Sequence, residues 1–226
     1  MGRATGDTRI GGVVVRDAVG AEIARYMDDL ARLRLRVFAE WPYLYDGGEA
    51  EERDYLSAMA GSAEALCVLA IDERDGDRVV GASTAMPLGD EHAEFREPFE
   101  RAGIDVGSVF YLAESVLLPA YRGRGIGRVF FDRRESYGRR LDGRRRASGG
   151  AGFAWLAFCG VDRVPDDPRR PAGHRELGPW WRSLGYRRRD DLVARLAWSE
   201  IGEAEASEKP LTFWLKPMQG VQHPPP

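Results

Sequence analysis

The sequence predicts a mixed α/β domain, and three observations carry that expectation. Apolar or β-branched runs (VVVRDA, ALCVLAI, VVGASTAM, VFYLAESVLL, FAWLAFC) alternate with segments whose apolar residues recur at helical spacing. Two of the runs flank ERDGD, where Asp75-Gly76 suits a tight hairpin turn. A strand also runs straight into a glycine-rich turn and a helix near Gly125, the alternation expected of an α/β sheet. With 226 residues, 43% hydrophobic and 31% charged, the chain can bury one substantial core. One domain is expected over 13–217, between flexible tails at 1–12 and 218–226. The first tail is polar and glycine-rich, and the second ends in three prolines that lack N–H donors.

In chain order, the strand at 13–18 precedes a helix marked by Ile23, Met27, Leu30, Leu33 and Val37, which should stop before Pro42. A second helix is predicted over 49–60. The hairpin strands follow at 65–71 and 79–86, then a short helix at 95–102. The long strand at 109–118 ends at Pro119. Ile126, Val129, Phe130, Tyr137 and Leu141 mark one helix face, interrupted by Arg133 and Arg134. After the strand at 153–159, the proline- and charge-rich stretch 160–179 is long for a connection and is expected to form a functional wall. A short helix at 180–184 stops at Gly185. Strands at 192–198 and 211–216 close the order. No internal repeat is present.

Charge excludes some classes. Lys plus Arg is 33 against 36 for Asp plus Glu, so a net charge of −3 offers no field to recruit nucleic acid or an anionic membrane. The arginine runs 144–146 and 187–189 are expected to be solvated loops. Cys67 and Cys159 lie in apolar runs without CxxC spacing, so neither a disulfide framework nor a metal site is expected, and a cytoplasmic setting fits. No apolar run reaches the ~20 residues that span a bilayer, and the N-terminal residues lack a signal-peptide core.

SVLLPAYRGRGIGRVFF carries the most chemical information. The first N–H groups of a helix lack intrahelical acceptors and sit at the positive end of its dipole, so a strand–glycine–helix junction is an anion site. Glycines let a diphosphate approach the backbone, and Arg122, Arg124 and Arg128 can add charge-assisted contacts. A phosphate-binding P-loop would need Gly-Lys-Ser/Thr, which is missing, and GxGxG matches the dinucleotide fingerprint only weakly.

The wider pattern, an apolar strand, then P-x-x-R-G-x-G-x-G, then a helix, resembles the acyl-CoA signature Q/R-x-x-G-x-G/A of the GNAT superfamily of N-acetyltransferases. Arg122, Gly125 and Gly127 fill it. VVVRDA is similar to the family's first strand, and GPWWRSLGY to its last helix before a Gly-aromatic pair, so the resemblance covers about Val13 to Lys216. It implies a mixed, mostly antiparallel sheet with a splayed central parallel pair, flanked by helices. It implies acetyl-CoA as co-substrate, with the diphosphate on the backbone of Arg122, Gly123, Arg124, Gly125, Ile126, Gly127 and Arg128. The pantetheine arm would pair with Val116, Leu117 and Leu118. The implied activity is acyl transfer to a primary amine, a small molecule in preference to a protein. No metal, nucleic acid or membrane partner is expected; a homodimer is compatible.

Strict alternation along 109–118 puts Phe110, Leu112, Glu114, Val116 and Leu118 on one face. Glu114 is then a lone carboxylate among apolar neighbours, a setting that raises a carboxyl pKa and suits a general base; family members often carry such a Glu. The alternative is a strand Glu bonded to solvent or to an Arg. The resemblance also implies a Tyr acid where this chain has Trp181; Tyr186 is expected to pack and Cys159 to be buried. The implied acceptor walls are 40–45, with Glu40, Trp41, Tyr43 and Tyr45, and 162–176, with His174; aromatic rings and a carboxylate suit an organic ammonium. The rival readings are a non-catalytic acyl-CoA sensor of the same fold and an Arg-rich RNA-binding module.

Overall fold

The computed structural model describes residues 6–218. One sheet of eight strands has the order β1-β2-β3-β4-β5-β6-β8-β7. The strands are β1 (Thr8–Ile10), β2 (Val13–Val19), β3 (Leu66–Asp72), β4 (Arg78–Pro87), β5 (Val109–Leu117), β6 (Trp155–Val161), β7 (Arg187–Trp198) and β8 (Ser207–Pro217). All neighbours are antiparallel except β5 and β6. That parallel pair is short: Val109, Phe110 and Tyr111 face Trp155, Leu156 and Ala157, and beyond them the strands part. The mixed, mostly antiparallel sheet with a splayed inner parallel pair is therefore the observed one.

Helices cover both faces. On one side lie α1 (Met27–Phe38), α2 (Glu49–Gly61) and α3 (Ala93–Arg101); on the other, α4 (Ile126–Ala147) and the short α5 (Gly178–Ser183). β3 is buried along its whole length because both faces are covered, which is why its sequence is a continuous apolar run. Adjacent residues serve opposite cores: Leu66 and Val68 pack with Phe130 of α4, Cys67 and Leu69 with Leu30 of α1 and Leu56 of α2. Each fully buried side chain of this kind contributes about 1.5–3 kcal/mol.

Three local expectations change. Residues 8–10 do not belong to a loose tail: they pair with β2 as β1, and Arg133 of α4 donates to Gly6 O and Thr8 Oγ1, both at 2.7 Å. Met218 is buried and its N–H donates to Ala154 O at 2.8 Å, so the second tail cannot begin there; residues 1–5 and 219–226 lie outside the described residues. Neither arginine run is a loop. Arg144, Arg145 and Arg146 form the last turn of α4, where cations complement the dipole. Arg187, Arg188 and Arg189 open β7, an edge strand, where charge is tolerated and blocks edge-to-edge pairing.

Candidate active site

The turn predicted to take an anion is built as its glycines require. β5 passes through Leu118 into a 3₁₀ turn, Pro119–Tyr121, which the Tyr121 hydroxyl ties to Asp72 at the end of β3 (3.0 Å). Gly123 (φ 74°) and Gly125 (φ 87°) then adopt left-handed conformations that other L-residues resist. Gly125 is the N-cap of α4, and the first helical bonds run from Arg128 N and Val129 N to Gly125 O (3.1 and 3.2 Å). Among the described residues, the N–H groups of 123–127 donate to no protein acceptor, and 122–125 are exposed. Ile126 is buried and anchors the helix start, so these amides are held in place and open.

The three arginines of the turn have partners and spare donors. Arg122 bonds Leu117 O through Nε (3.0 Å) and reaches Glu40 Oε2 through Nη1 (2.9 Å). Arg124 donates to Ala120 O (2.7 Å), and Arg128 pairs with Asp132 one turn along α4 (3.0 Å). Val116 and Leu117 pair with Ala82 and Gly81 of β4, and Leu118 N donates to Val80 O, so one edge of β5 is occupied. Its other edge, past Tyr111, has no strand partner among the described residues.

Glu114 does not share the face of Phe110 and Leu112. Thr84 faces Glu114 and Met86 faces Tyr111, so Leu112 and Ala113 together oppose Ala85, a β-bulge that reverses the alternation. Phe110 and Leu112 therefore pack toward α4, whereas Glu114 and Val116 point toward α1 and α2. The bulge is pinned from behind: the Glu114 carbonyl accepts from Ser83 Oγ (2.9 Å) and from Arg134 Nη1 (3.2 Å), which also reaches Thr84 O (3.3 Å). Arg134 is fully buried, and burial lowers its pKa to about 10. The arginines that break the apolar stripe of α4 are thus clamps, Arg134 on the bulge and Arg133 on β1 and β2.

Nor is Glu114 a lone carboxylate among apolar groups. Arg34 of α1 donates to Glu114 Oε2 through Nη1 and to Glu52 of α2 through Nε, and its guanidinium lies over the rings of Phe38 and Tyr55 (4.9 and 4.3 Å). With this pairing Glu114 is not a purely desolvated carboxylate. Glu114 Oε1 is buried without a hydrogen-bond partner. Arg34 was legible in principle, since Leu30, Arg34 and Phe38 form an i, i+4, i+8 stripe on the buried face of α1.

The opening between β5 and β6 leads to a cavity of about 250 Å³ on this face, lined among others by Arg34, Tyr43, Tyr45, Glu51, Glu52, Tyr55, Glu114 and Trp198. Of the predicted acceptor residues, Tyr43 and Tyr45 line it. Glu40, Trp41 and His174 do not: Glu40 binds Arg122, while Trp41 packs edge-on against His174 (6.0 Å) and lies under Arg163 (5.4 Å). Tyr43 is fixed through its carbonyl, which accepts from Trp198 Nε1 (3.1 Å) and Arg163 Nη2 (3.0 Å). Tyr45 is held protonated, its pKa pushed up to about 12 by burial and by Glu52. Glu51, Glu52, Tyr55 and Trp198 were missed because charged and aromatic residues at helical or strand spacing carry no label for the side they face.

Trp181 lies on the other side of the splay, against Phe158 and Trp214 (5.0 and 5.1 Å). Tyr186 packs as expected, its hydroxyl donating to buried Glu135 (3.0 Å). Cys159 is half-buried and lines the cavity, with its thiol 3.1 Å from the Tyr111 hydroxyl. Burial pushes the Cys159 thiol up to about 12 and the Tyr111 phenol well above its ordinary value, so both hold their protons at neutral pH. The described residues contain no group of three or more His, Cys, Asp or Glu arranged to hold a metal ion. No described helix is long and apolar enough to cross a membrane.

No family model matches the sequence, and no curated protein sequence matches it significantly. Solved structures do resemble it. A GCN5-related N-acetyltransferase from Kribbella flavida aligns over 91% of this chain and 98% of its own, with a TM-score of 0.52 and 16% identity. Arabidopsis thaliana NAA60, solved with a bisubstrate analogue, aligns over 92% and 99% (TM-score 0.54, 12% identity). A GNAT-like decarboxylase in complex with isobutyryl-CoA aligns over 91% and 99% (TM-score 0.52, 17% identity). The eight-stranded sheet, its splayed β5–β6 pair and the glycine-bordered start of α4 thus belong to a chain with the fold of the GCN5-related N-acetyltransferases.

Proposed function

We propose that the protein is an acyl-CoA-dependent N-acyltransferase acting on a primary amine. The observation that carries this reading is the row of unbonded N–H groups at 123–127, on a turn exposed over 122–125, beside the free edge of β5 and across the splay from a cavity. A diphosphate fits there: the amides point at no protein acceptor, an added Cβ at Gly123 or Gly125 would meet nothing within 4 Å, and Arg122, Arg124 and Arg128 flank the turn. The backbone of Val116, Leu117 and Leu118 would take the pantetheine amides. Bound acyl-CoA would supply an activated acyl group as its thioester. Co-crystallisation of a similar fold with isobutyryl-CoA supports the choice of cofactor.

The chain's own task is proton handling. An alkylammonium with a pKa near 10.4 is neutral in only about one molecule in several thousand at pH 7, and only the neutral form is nucleophilic. Glu114, whose side chain lines the cavity, would accept that proton, directly or through water. A thiolate leaving group with pKa around 8.5 needs little assistance; Tyr111 and Cys159 are the protonated groups at the splay.

Titration with acetyl-CoA should give saturable binding, and a thiol-detection assay over an amine panel should give amine-dependent CoA release. No binding at millimolar acetyl-CoA would overturn the reading. Trp181 in the customary acid position favours the second reading, a non-catalytic acyl-CoA sensor, which predicts binding without amine-dependent release.

A further inference from the structure

The cavity wall holds three carboxylates, Glu51, Glu52 and Glu114, against one guanidinium, Arg34. Glu52 and Glu114 are deeply buried, with side chains 2% and 10% exposed, and both use the same arginine. One buried cation between two buried carboxylates leaves a negative charge uncompensated unless a carboxyl takes up a proton or another cation supplies the counter-charge. The other charged groups nearby do not supply it. Glu91, behind Tyr55 and Glu114, is a further acid, and burial favours its protonated form. His92 stacks on Tyr55 and sits 3.9 Å from Glu91, and Arg163 is taken by Glu200 and the 42–43 carbonyls. Glu114 Oε1 is moreover buried without a hydrogen-bond partner.

The rest of the wall is aromatic and aliphatic. Tyr43 packs on Phe38 (4.3 Å) and Trp198 (6.0 Å), and Phe95, Leu196 and Leu211 complete an apolar floor. Ring faces attract cations, and apolar floors reject anions. At about 250 Å³ the space also falls below the roughly 300–1,000 Å³ of sites for drug-sized ligands.

We propose that this cavity is the acceptor site and that it selects a compact organic monocation, an ammonium on an apolar or aromatic body without an acid group, whose charge completes the Arg34–Glu52–Glu114 cluster. The proposal rests on the acyl-transfer reading above and narrows its acceptor.

The test uses the whole protein and three probes of matched shape, 2-phenylethylamine, 2-phenylethanol and 3-phenylpropionate, titrated calorimetrically with and without acetyl-CoA. The amine should bind at least about tenfold tighter than the alcohol, as one charge-assisted hydrogen bond implies, and the acid should not bind. Glu114→Gln should lower amine affinity by about tenfold or more, and Glu51→Gln, an exposed position, by about two- to threefold, with no change for the alcohol. Equal binding of amine and alcohol overturns the proposal, as does a lysine-containing peptide binding tighter than the amine. If Glu114→Gln does not fold, the wild-type comparison decides alone. Acetyl-CoA binding without amine selectivity overturns only the acceptor assignment; absence of acetyl-CoA binding overturns the transfer reading and the acceptor role with it.

Discussion

Two demands separate on the Glu114 side chain: Oε2 satisfies Arg34, and Oε1 is buried without a partner. As the proposed base, it should be needed for rate and not for cofactor affinity. On the proposed role as base, Glu114→Gln is expected to slow amine-dependent CoA release by about 10²–10⁴-fold and to remove the acidic limb of the kcat/KM profile, with acetyl-CoA affinity unchanged. A rate within a few-fold of wild type would refute the assignment. Arg34→Ala should act through stability instead. It leaves two buried carboxylates facing each other, a loss of about 3–5 kcal/mol readable by urea denaturation. The two thiols give an independent check on burial. Both are pushed up to about 12 by desolvation, so iodoacetamide at pH 7.5 should label Cys67 and Cys159 on the order of a thousandfold more slowly than a free cysteine. Labelling at the free rate would show that the core opens readily.

At the scale of elements, the start of α4 and the bulge of β5 are separate devices that mutation can tell apart. Gly125→Ala forces a Cβ into φ 87° but meets no protein atom, so the cost is backbone strain of about 1 kcal/mol, together with weaker acetyl-CoA binding by about tenfold or more. Gly138→Ala, further along the same helix, would place its Cβ 2.6 Å from Phe110 Cδ1; overpacking there should cost about 1–3 kcal/mol and leave acetyl-CoA affinity unchanged. If both variants behave alike in calorimetry, the turn has no special role. Arg134→Met removes the donor behind the bulge. Unfolding should become easier by about 1–3 kcal/mol, and kcat should fall while KM for acetyl-CoA holds, because the carbonyl that fixes Glu114 loses a partner.

Across the whole molecule, the long connection at 162–177 is held to the sheet by charge. Arg169 bonds Asp167 through three atoms and also reaches buried Glu200, which Arg163 and Lys209 share. Hydrogen bonds from Arg169 lower the Asp167 pKa to about 2 from its usual 3.8. A depressed folded-state pKa gives stability that is present above 3.8 and lost as pH falls toward 2. The Tm of the wild type should therefore drop across that window, and Asp167→Asn should flatten part of the drop while lowering Tm at pH 7. The same network holds Tyr43 in the cavity wall through Arg163, so the variant should also raise KM for the amine.

What the sequence determined by itself is what neighbours along the chain decide. Spacing along the helices, the Asp75-Gly76 turn, the strand that stops at Pro119 and the glycines that open α4 are short-range matters of backbone sterics, and each lies close to where its residues predict, although Gly20–Tyr26, which carries Ile23 of the first predicted helix, is a 3₁₀ segment. The open amides at the start of α4 were legible for the same reason, because a helix leaves its first amides unpaired whatever surrounds it. The active-site face was not. One extra residue at Leu112–Ala113 reversed the direction of Glu114, and it is stabilised by Arg134, 20 positions away. Its counter-charge comes from Arg34, 80 positions distant, and Glu40 pairs with Arg122 at the glycine turn instead of lining the cavity. Ion pairs and bulges form between segments that meet only in the folded chain, so the tertiary structure alone decided which carboxylates line the cavity and which charge they leave unmet.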